Sequence, residues 1–277
     1  MNTAKKSFLL RAALAILMSC YVFFVVPSEG QAAKSVTLPK REWSFSGLFG
    51  TFDRASAQRG FQVYREICAG CHSLDLIAFR NLSGLGYTEG QIKEFAAEYE
   101  IEDGPNEEGE FFTRPGRPAD YFPSPYSNKK AAAAANNGKA PPDLSLITKA
   151  RAGGGDSSIR YSLKNPGGYA LGADYLFALL MGYEEPPEDF EGDNYNRYFP
   201  GGSIAMAQPI EDESVEYSDG TEASLQQIAL DVTTFLAWAA EPELEARKRL
   251  GIKVILFLAF LTALLYVLKR KIWSDIH

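Results

Sequence analysis

One short motif holds the residues best suited to chemistry. Cys68 and Cys71 are separated by two small residues, and His72 follows immediately, which gives the sequence CAGCH. Two thiols at this spacing can each add to one vinyl group of a single haem, and the next imidazole then reaches one axial face of the iron. The motif therefore predicts one covalent haem c, attached through Cys68 and Cys71, with His72 as an axial ligand to the iron.

Paired cysteines also occur in two other kinds of site. A redox-active dithiol has no need of His72, and the surrounding sequence lacks the strand-then-helix pattern of a thioredoxin-like fold. A zinc site needs about four ligands, whereas Cys20 and His277, the other cysteine and histidine, lie near opposite ends of the chain. A haem-free thiol or metal-binding module and a chance match remain the alternatives to haem attachment.

The scarcity of histidine restricts the second axial ligand. His72 is the only histidine among residues 34–246, so methionine is the next candidate. Met181 lies in an amphipathic helical run, where a methionine usually fills the core. Met206 lies in a loop bounded by glycines and prolines, and we favour it as the second ligand, with Met181 as the alternative. A His/Met pair fills both axial positions and raises the reduction potential, which favours outer-sphere one-electron transfer over peroxidase-like chemistry at an open iron.

Two helices are expected to position the motif. Apolar residues recur at helical spacing from residue 57 to residue 67, directly before the motif, and Gly60 indicates a close approach by another helix. A second apolar stripe covers residues 225–239 and begins with a capping box formed by Ser224 and Gln227. We expect this second helix to cross the first near Gly60 and to close the haem pocket.

Both ends of the chain have membrane signals. Residues 1–33 combine a basic start, an apolar run and a small-residue ending, which predicts a cleaved signal peptide, with a short uncleaved anchor as the alternative. Residues 250–268 are apolar apart from Lys253 and are flanked by basic clusters, which predicts a transmembrane helix within an anchor of residues 247–270. A buried core helix is the alternative here. These signals place residues 34–246 outside a bacterial inner membrane, on the periplasmic side, and residues 271–277 in the cytoplasm.

The predicted exported region is strongly acidic. The chain has 28 basic and 35 acidic residues, of which 10 and 2 lie in residues 1–33 and 247–277, so residues 34–246 hold 18 against 33, a net charge of −15. This balance argues against nucleic acid as a partner and for a basic protein. Carboxylates concentrate in residues 94–110, 184–193 and 211–222, which we expect to form a docking surface near the haem edge.

An ordered set of motifs resembles the cytochrome c1 family, the haem c subunits of ubiquinol–cytochrome c oxidoreductases. After RGFQVY at 59–64 and CAGCH at 68–72, it comprises ANNG at 135–138, PPDLS at 141–145, KAR at 149–151, DY at 174–175, GY at 182–183, PP at 186–187, YFPGG at 198–202 with Met206, and WAAEP at 238–242. The haem motif alone specifies only a c-type cytochrome. The ordered set, followed by one C-terminal span, is much more specific.

The resemblance implies a mainly α fold, a class I cytochrome c-like haem domain with long loop insertions plus one C-terminal transmembrane helix. It implies His72 and Met206 as the axial ligands, with Arg151 near a haem propionate. The other implied contacts of the haem pocket are Asn136, Pro141, Pro142, Leu144, Ile147, Tyr175 and Phe199. Two segments depart from the family pattern: residues 152–171 are longer than usual, and AQP at 207–209 replaces a proline-rich run.

The resemblance also implies partners. Electrons would come from a Rieske iron–sulfur protein and leave to a basic c-type cytochrome, while quinol chemistry would belong to the cytochrome b and Rieske subunits and not to this chain. A stand-alone membrane-anchored cytochrome that carries electrons to an oxidase is the alternative. The two cases differ in whether cytochrome b accompanies the chain.

Overall fold

The computed structural model describes residues 38–151 and 170–274, and within them the fold is mainly helical. The predicted signal peptide and most of the 152–171 insertion lie outside the described residues. Short 3-10 helices cover Cys68–Gly70 and Phe79–Leu85. The α-helices are α1 (Arg54–Glu66), α2 (Glu89–Ala97), α3 (Lys129–Ala135), α4 (Ile147–Ala150), α5 (Ala170–Met181), α6 (Leu225–Ala240) and α7 (Leu244–Ser274).

The crossing of α1 and α6 forms the centre of the core, as the sequence predicted. A Cβ atom added at Gly60 would lie only 1.9 Å from the carbonyl oxygen of Asp231 and 2.8 Å from Cβ of Phe235. The two backbones can approach this closely because glycine has no side chain. Phe61 and Tyr64 of α1 pack on Phe235, with ring centroids 5.4 and 5.7 Å apart.

A buried polar cluster joins α1 to α6 beside this crossing. Asp231 is completely buried and accepts hydrogen bonds from the Arg59 guanidinium (Nε to Oδ2, 2.8 Å) and from Ser56 Oγ (2.7 Å). Gln227 Nε2 also donates to Asp231, at 3.0 Å. A buried carboxylate needs such partners to offset the loss of hydration. The capping-box prediction at α6 is therefore only half right: Ser224 Oγ accepts from the amide of Gln227, but the Gln227 side chain binds Asp231 instead of closing the box.

Two short antiparallel ladders lie in the long loops. Strands β1 (Glu100–Asp103) and β2 (Phe112–Pro115) form a hairpin after α2, and β1 lies within the first acidic run. Strands β3 (Asn194–Tyr195) and β4 (Ser203–Ile204) enclose the YFPGG turn, where Gly201 and Gly202 have φ of +83° and +78°. Both turn residues adopt the left-handed conformation that favours glycine.

Helix α7 starts in the hydrophobic core and continues as a long helix with an exposed apolar surface. Leu244 is buried, whereas the most apolar stretch of α7 has none of its residues buried within the chain. Among the described residues, α7 is the helix long and apolar enough to cross a membrane. This agrees with the predicted single C-terminal anchor, and the helix extends beyond residues 247–270 at both ends.

Candidate haem site

All twelve residues assigned to the haem site from the sequence line one cavity. The cavity has a volume of about 670 Å³, within the range of about 300–1,000 Å³ typical of small-molecule and cofactor sites. Its lining includes Cys68, Cys71, His72, Asn136, Pro141, Pro142, Leu144, Ile147, Arg151, Tyr175, Phe199 and Met206. Residues separated by up to 138 positions in the chain therefore meet at a single site.

The CAGCH motif forms the turn that ends α1. The amides of Cys71 and His72 both donate to the carbonyl oxygen of Cys68, at 3.1 and 2.9 Å, and this tight turn brings the two thiols to the same cavity. Neither cysteine forms a disulfide, and Cys68 is half-buried while Cys71 is exposed. Burial raises the pKa of Cys68 to about 12, so this thiol stays protonated near neutral pH.

The imidazole of His72 is held in one tautomer by a backbone contact. Nδ1 lies 2.8 Å from the carbonyl oxygen of Pro142, which can only accept, so Nδ1 carries the hydrogen and Nε2 keeps its lone pair. Histidines that bind metals usually donate their second ring nitrogen in this way. Burial lowers the pKa of His72, which favours the neutral imidazole that a metal requires.

A clamp of hydrogen bonds fixes the Pro142 carbonyl relative to the motif. Asp143 Oδ2 accepts from Ser73 Oγ (3.0 Å) and from the amide of Asp75 (2.8 Å). Ser145, which is completely buried, accepts at Oγ from the amide of Leu76 (3.0 Å). The segment after the motif and the PPDLS segment therefore form one rigid unit. This role of the PPDLS segment is not predictable from local sequence, which does not show which distant amides Asp143 and Ser145 bind.

Met206 lines the cavity directly after strand β4, and its backbone is held in place. The Tyr183 hydroxyl donates to the carbonyl oxygen of Met206 at 3.0 Å. Completely buried Asn196 fixes the preceding hairpin, since its side chain donates to the carbonyl oxygen of Leu179 (2.7 Å) and its amide donates to Gly202 (2.8 Å). Met181, by contrast, packs against the hydrophobic core and does not line the cavity. Of the two methionines considered, only Met206 is therefore placed to reach a cofactor.

Helices α5 and α6 supply apolar walls. Leu176 and Leu180 of α5 and Val232 and Leu236 of α6 line the cavity, and the α6 pair belongs to the predicted stripe. The sequence pattern predicts a helix for the leucines of α5 but not their place in the cavity wall. An apolar lining of this kind excludes water from a bound group.

Polar residues at the rim complete the site. Arg151 is exposed, and its charge acts on Tyr175, whose pKa is raised by burial and less strongly lowered by the guanidinium. The side-chain amide of Asn136 donates from Nδ2 to the carbonyl oxygen of Ala132 (2.7 Å) and to the hydroxyl of Tyr126 (3.0 Å), so it also fixes the end of α3.

The acidic runs serve different purposes. Asp193, in the second run, lies 3.8 Å from the ammonium of Lys139, which lines the cavity, so this run reaches the rim. In the third run, Asp212 accepts from the amide of Leu225 at the start of α6, and Asp219 pairs with Arg59 at 2.9 Å. Part of the third run therefore stabilises the fold. Asp212 and Asp219 already bind groups of this chain, so fewer carboxylates of the third run are available to a partner than the sequence suggests.

Comparison with known proteins decides the family. Residues 43–276 match the Cytochrome C1 family. The chain belongs to the cytochrome c1 family. It is 47% identical over 260 residues to cytochrome c1 of Rhodospirillum rubrum, which covers 87% of this chain and 89% of that protein. It is 50% identical over 242 residues to a mitochondrial cytochrome c1 of Saccharomyces cerevisiae, named a heme protein, which covers 86% of this chain and 72% of that protein.

One relative is a much longer protein. Cytochrome b/c1 of Bradyrhizobium diazoefficiens is 51% identical over 253 residues, which cover 86% of this chain but only 36% of that protein. The chain thus spans about a third of this relative's length.

Cytochrome c1 proteins carry covalently bound haem c, and the cavity fits that group. The chain places two cysteine side chains, one imidazole with its Nε2 lone pair available and one thioether around a single cavity with apolar walls. Among residues 38–151 and 170–274, no group of three or more His, Cys, Asp and Glu residues forms a cluster suited to a metal ion. The donor set therefore suits a macrocycle attached by thioethers better than a bare metal ion.

Proposed function

We propose that the chain is the haem-carrying electron-transfer subunit of a ubiquinol–cytochrome c reductase. It accepts single electrons from a Rieske iron–sulfur protein and passes them to a c-type cytochrome. The observation that carries the proposal is the meeting of Cys68, Cys71, His72 and Met206 at one cavity, in a chain of the cytochrome c1 family. When bound, haem c supplies a one-electron couple between the ferrous and ferric states of iron.

The residues of the motif hold the group and fix its orientation. Cys68 and Cys71 would hold it through thioether bonds, and His72 would offer Nε2 to the iron because the Pro142 carbonyl occupies Nδ1. Met206 would hold the iron through its thioether sulfur. With His72 and Met206 both bound to the iron, substrates would have no access to it, and the site would be restricted to outer-sphere electron transfer.

The surroundings adjust the reduction potential. Leu144, Ile147 and the leucines of α5 exclude water, and this favours the less charged reduced state. Arg151 at the rim offsets the charge of a propionate. A neutral thioether ligand and a dry pocket both raise the potential, as an acceptor of electrons from a Rieske protein requires.

The partners follow from the family and from charge. A relative from Candida albicans is named a catalytic subunit of the cytochrome b-c1 complex, and a corresponding complex here would include cytochrome b and the Rieske protein. The predicted exported region has a net charge of −15, which suits a basic cytochrome c as acceptor. We further propose that residues 1–33 are removed, that the haem domain lies on the periplasmic side of a bacterial inner membrane, and that α7 anchors it.

A ligand-replacement experiment tests the axial assignment. Met206→Leu should lower the midpoint potential of the purified holoprotein by a sizeable part of the about 0.8 V that axial ligation spans. Met181→Leu is the matched control, because Met181 packs away from the cavity, and it should leave the potential unchanged. If the potential responds to Met181 and not to Met206, the axial assignment is wrong.

A difference spectrum tests the assignment to a complex. Membranes with a tagged chain are extracted in mild detergent, and the purified material is reduced first with ascorbate and then with dithionite. A c-type band with ascorbate and a further b-type band with dithionite would support a complex with cytochrome b. A c-type band alone would favour the stand-alone carrier, and no c-type band would refute the haem assignment.

A further inference from the structure

The loop of residues 44–51 exposes two large apolar side chains. Phe49 is 79% exposed and Leu48 is 53% exposed, whereas Phe45 and Phe52 at the two ends of the loop are buried in the core. Residues 43–52 contain no charged residue, although the haem domain around them is strongly acidic. The tip is therefore an uncharged apolar projection on a charged surface.

The loop is closed and its tip cannot easily fold back. The amide of Ser46 donates to the carbonyl oxygen of Trp43 (2.9 Å), and the amide of Thr51 donates to the carbonyl oxygen of Ser44 (3.0 Å). A Cβ atom added at Gly50 would lie 2.0 Å from the carbonyl oxygen of Ser46, so the chain crosses itself at close range. The exposure of the tip thus follows from the backbone path.

The first turns of α7 hold this loop. The ammonium of Lys248 donates to the carbonyl oxygens of Phe45 (2.7 Å) and Gly50 (3.0 Å), one on each side of the tip. Glu245, one turn earlier, accepts from the amide of Phe52 (2.9 Å). Lys248 lies two residues before residue 250, where the apolar run of α7 begins. The loop is therefore attached to α7 at the level where the proposed membrane span starts.

Simple geometry then places Lys248, and the loop carbonyls that it binds, close to the start of the proposed span. Two residues of helix advance about 3 Å along the axis, and interfacial groups sit about 5–10 Å deep at the headgroup–acyl boundary. We propose that Leu48 and Phe49 insert into this boundary of the outer leaflet, giving the haem domain a second contact with the bilayer beside α7. The inference rests on the proposed membrane span. The attachment of the loop to α7 just before the apolar run, together with the lack of charge at the tip, makes lipid the expected occupant.

Accessibility measurements on the full-length holoprotein can test this contact. Phe49→Cys is labelled with a nitroxide after reconstitution in phosphatidylcholine/phosphatidylglycerol nanodiscs, since Cys68 and Cys71 are blocked once haem is attached. Collision rates are measured with oxygen, which concentrates in lipid, and with a water-soluble nickel chelate. Phe111→Cys, at a phenylalanine that is 66% exposed near the β1–β2 turn, is the matched control.

The outcomes separate the possibilities. Insertion predicts a severalfold lower nickel collision rate and a higher oxygen rate at position 49 than at position 111. Equal nickel rates at the two positions would refute the contact, and low rates with both reagents would instead indicate burial against protein. A label at Phe257→Cys, in the exposed apolar part of α7, reports the span itself. If position 257 lies in lipid and position 49 in water, only the loop inference fails; if position 257 lies in water, the proposed anchor fails first.

Discussion

The closeness of α1 and α6 makes Gly60→Ala a sensitive test of the fold around the haem cavity. The added Cβ atom would lie 1.9 Å from the Asp231 carbonyl oxygen, whereas ordinary contacts begin near 3.4 Å. The neighbouring atom is backbone, so it cannot rotate away as a side chain would. The helices must therefore separate by about 1.5 Å, the difference between those two distances.

The expected cost is large for one methyl group. Overpacking a close-packed core typically costs about 1–3 kcal/mol, and separation also weakens the hydrogen bonds between α1 and buried Asp231. We expect the free energy of unfolding to fall by about 3 kcal/mol, or about 6–12 °C in Tm for a domain of this size. Movement of α6 also displaces Val232 and Leu236 from the cavity wall. Haem incorporation should therefore fall as well.

The assay pairs thermal unfolding with the haem content per chain, measured by the pyridine haemochrome method. Gly90→Ala is the matched control, because Gly90 lies in α2 and the nearest atom to its added Cβ would be 3.9 Å away. This control should be neutral or stabilising by up to about 1 kcal/mol, since alanine favours helix. An unchanged Tm and haem content in Gly60→Ala would show that α1 and α6 do not cross as described.

Three further changes test individual contacts. Tyr183→Phe removes the hydrogen bond to Met206, worth about 1 kcal/mol, and potentiometry should show a smaller fall in potential than Met206→Leu causes; an unchanged potential would count against this support. Burial raises the pKa of Asp174 above its ordinary 3.8, so native stability should decline as pH rises from 3.8 through the folded pKa. Asp174→Asn keeps an oxygen acceptor for Trp43 Nε1 (2.7 Å in the parent). Denaturant titrations should show that the free energy of unfolding of this variant rises relative to that of the parent as pH increases through this range; a difference that does not change with pH would contradict the assignment. Asp143→Ala removes the hydrogen bonds of the PPDLS clamp to the amides of Asp75 and Ser145, each worth about 1 kcal/mol, and should lower Tm and alter the haem absorption spectrum; parental values of both would argue against the clamp.

Local sequence was sufficient for some parts of the fold. The CAGCH motif, the helix before it and the stripe of α6 could be predicted because each has a fixed short-range spacing. Gly60 also indicated the crossing, since a glycine inside a helix usually has a packing reason. The pocket residues, in contrast, came from the family resemblance and not from the pattern alone.

Other parts depend on long-range contacts that no local pattern encodes. Asp143 and Tyr183 each bind a backbone group that is distant in the sequence. A single carboxylate or phenol in a loop has many possible partners, so the sequence alone does not identify the one that it binds. The Gln227 side chain illustrates the same point. It could turn back to the backbone of Ser224 and close a capping box, or it could bind Asp231, and the structure shows the bond to Asp231. The tertiary partner is satisfied because a buried carboxylate left unpaired costs more than an exposed helix start.

The two candidate axial residues share one structural feature. His72 is oriented by the Pro142 carbonyl and Met206 is held through its own carbonyl by Tyr183, so backbone geometry fixes both before any cofactor binds. A site prepared in this way requires little rearrangement when the iron changes charge. The cavity wall formed by α6 continues through a short corner into α7, and Lys248 ties α7 to the loop of residues 44–51. The proposed electron donor and acceptor, which bind only transiently, would therefore meet a site whose two axial residues are fixed and whose wall is attached to the proposed anchor.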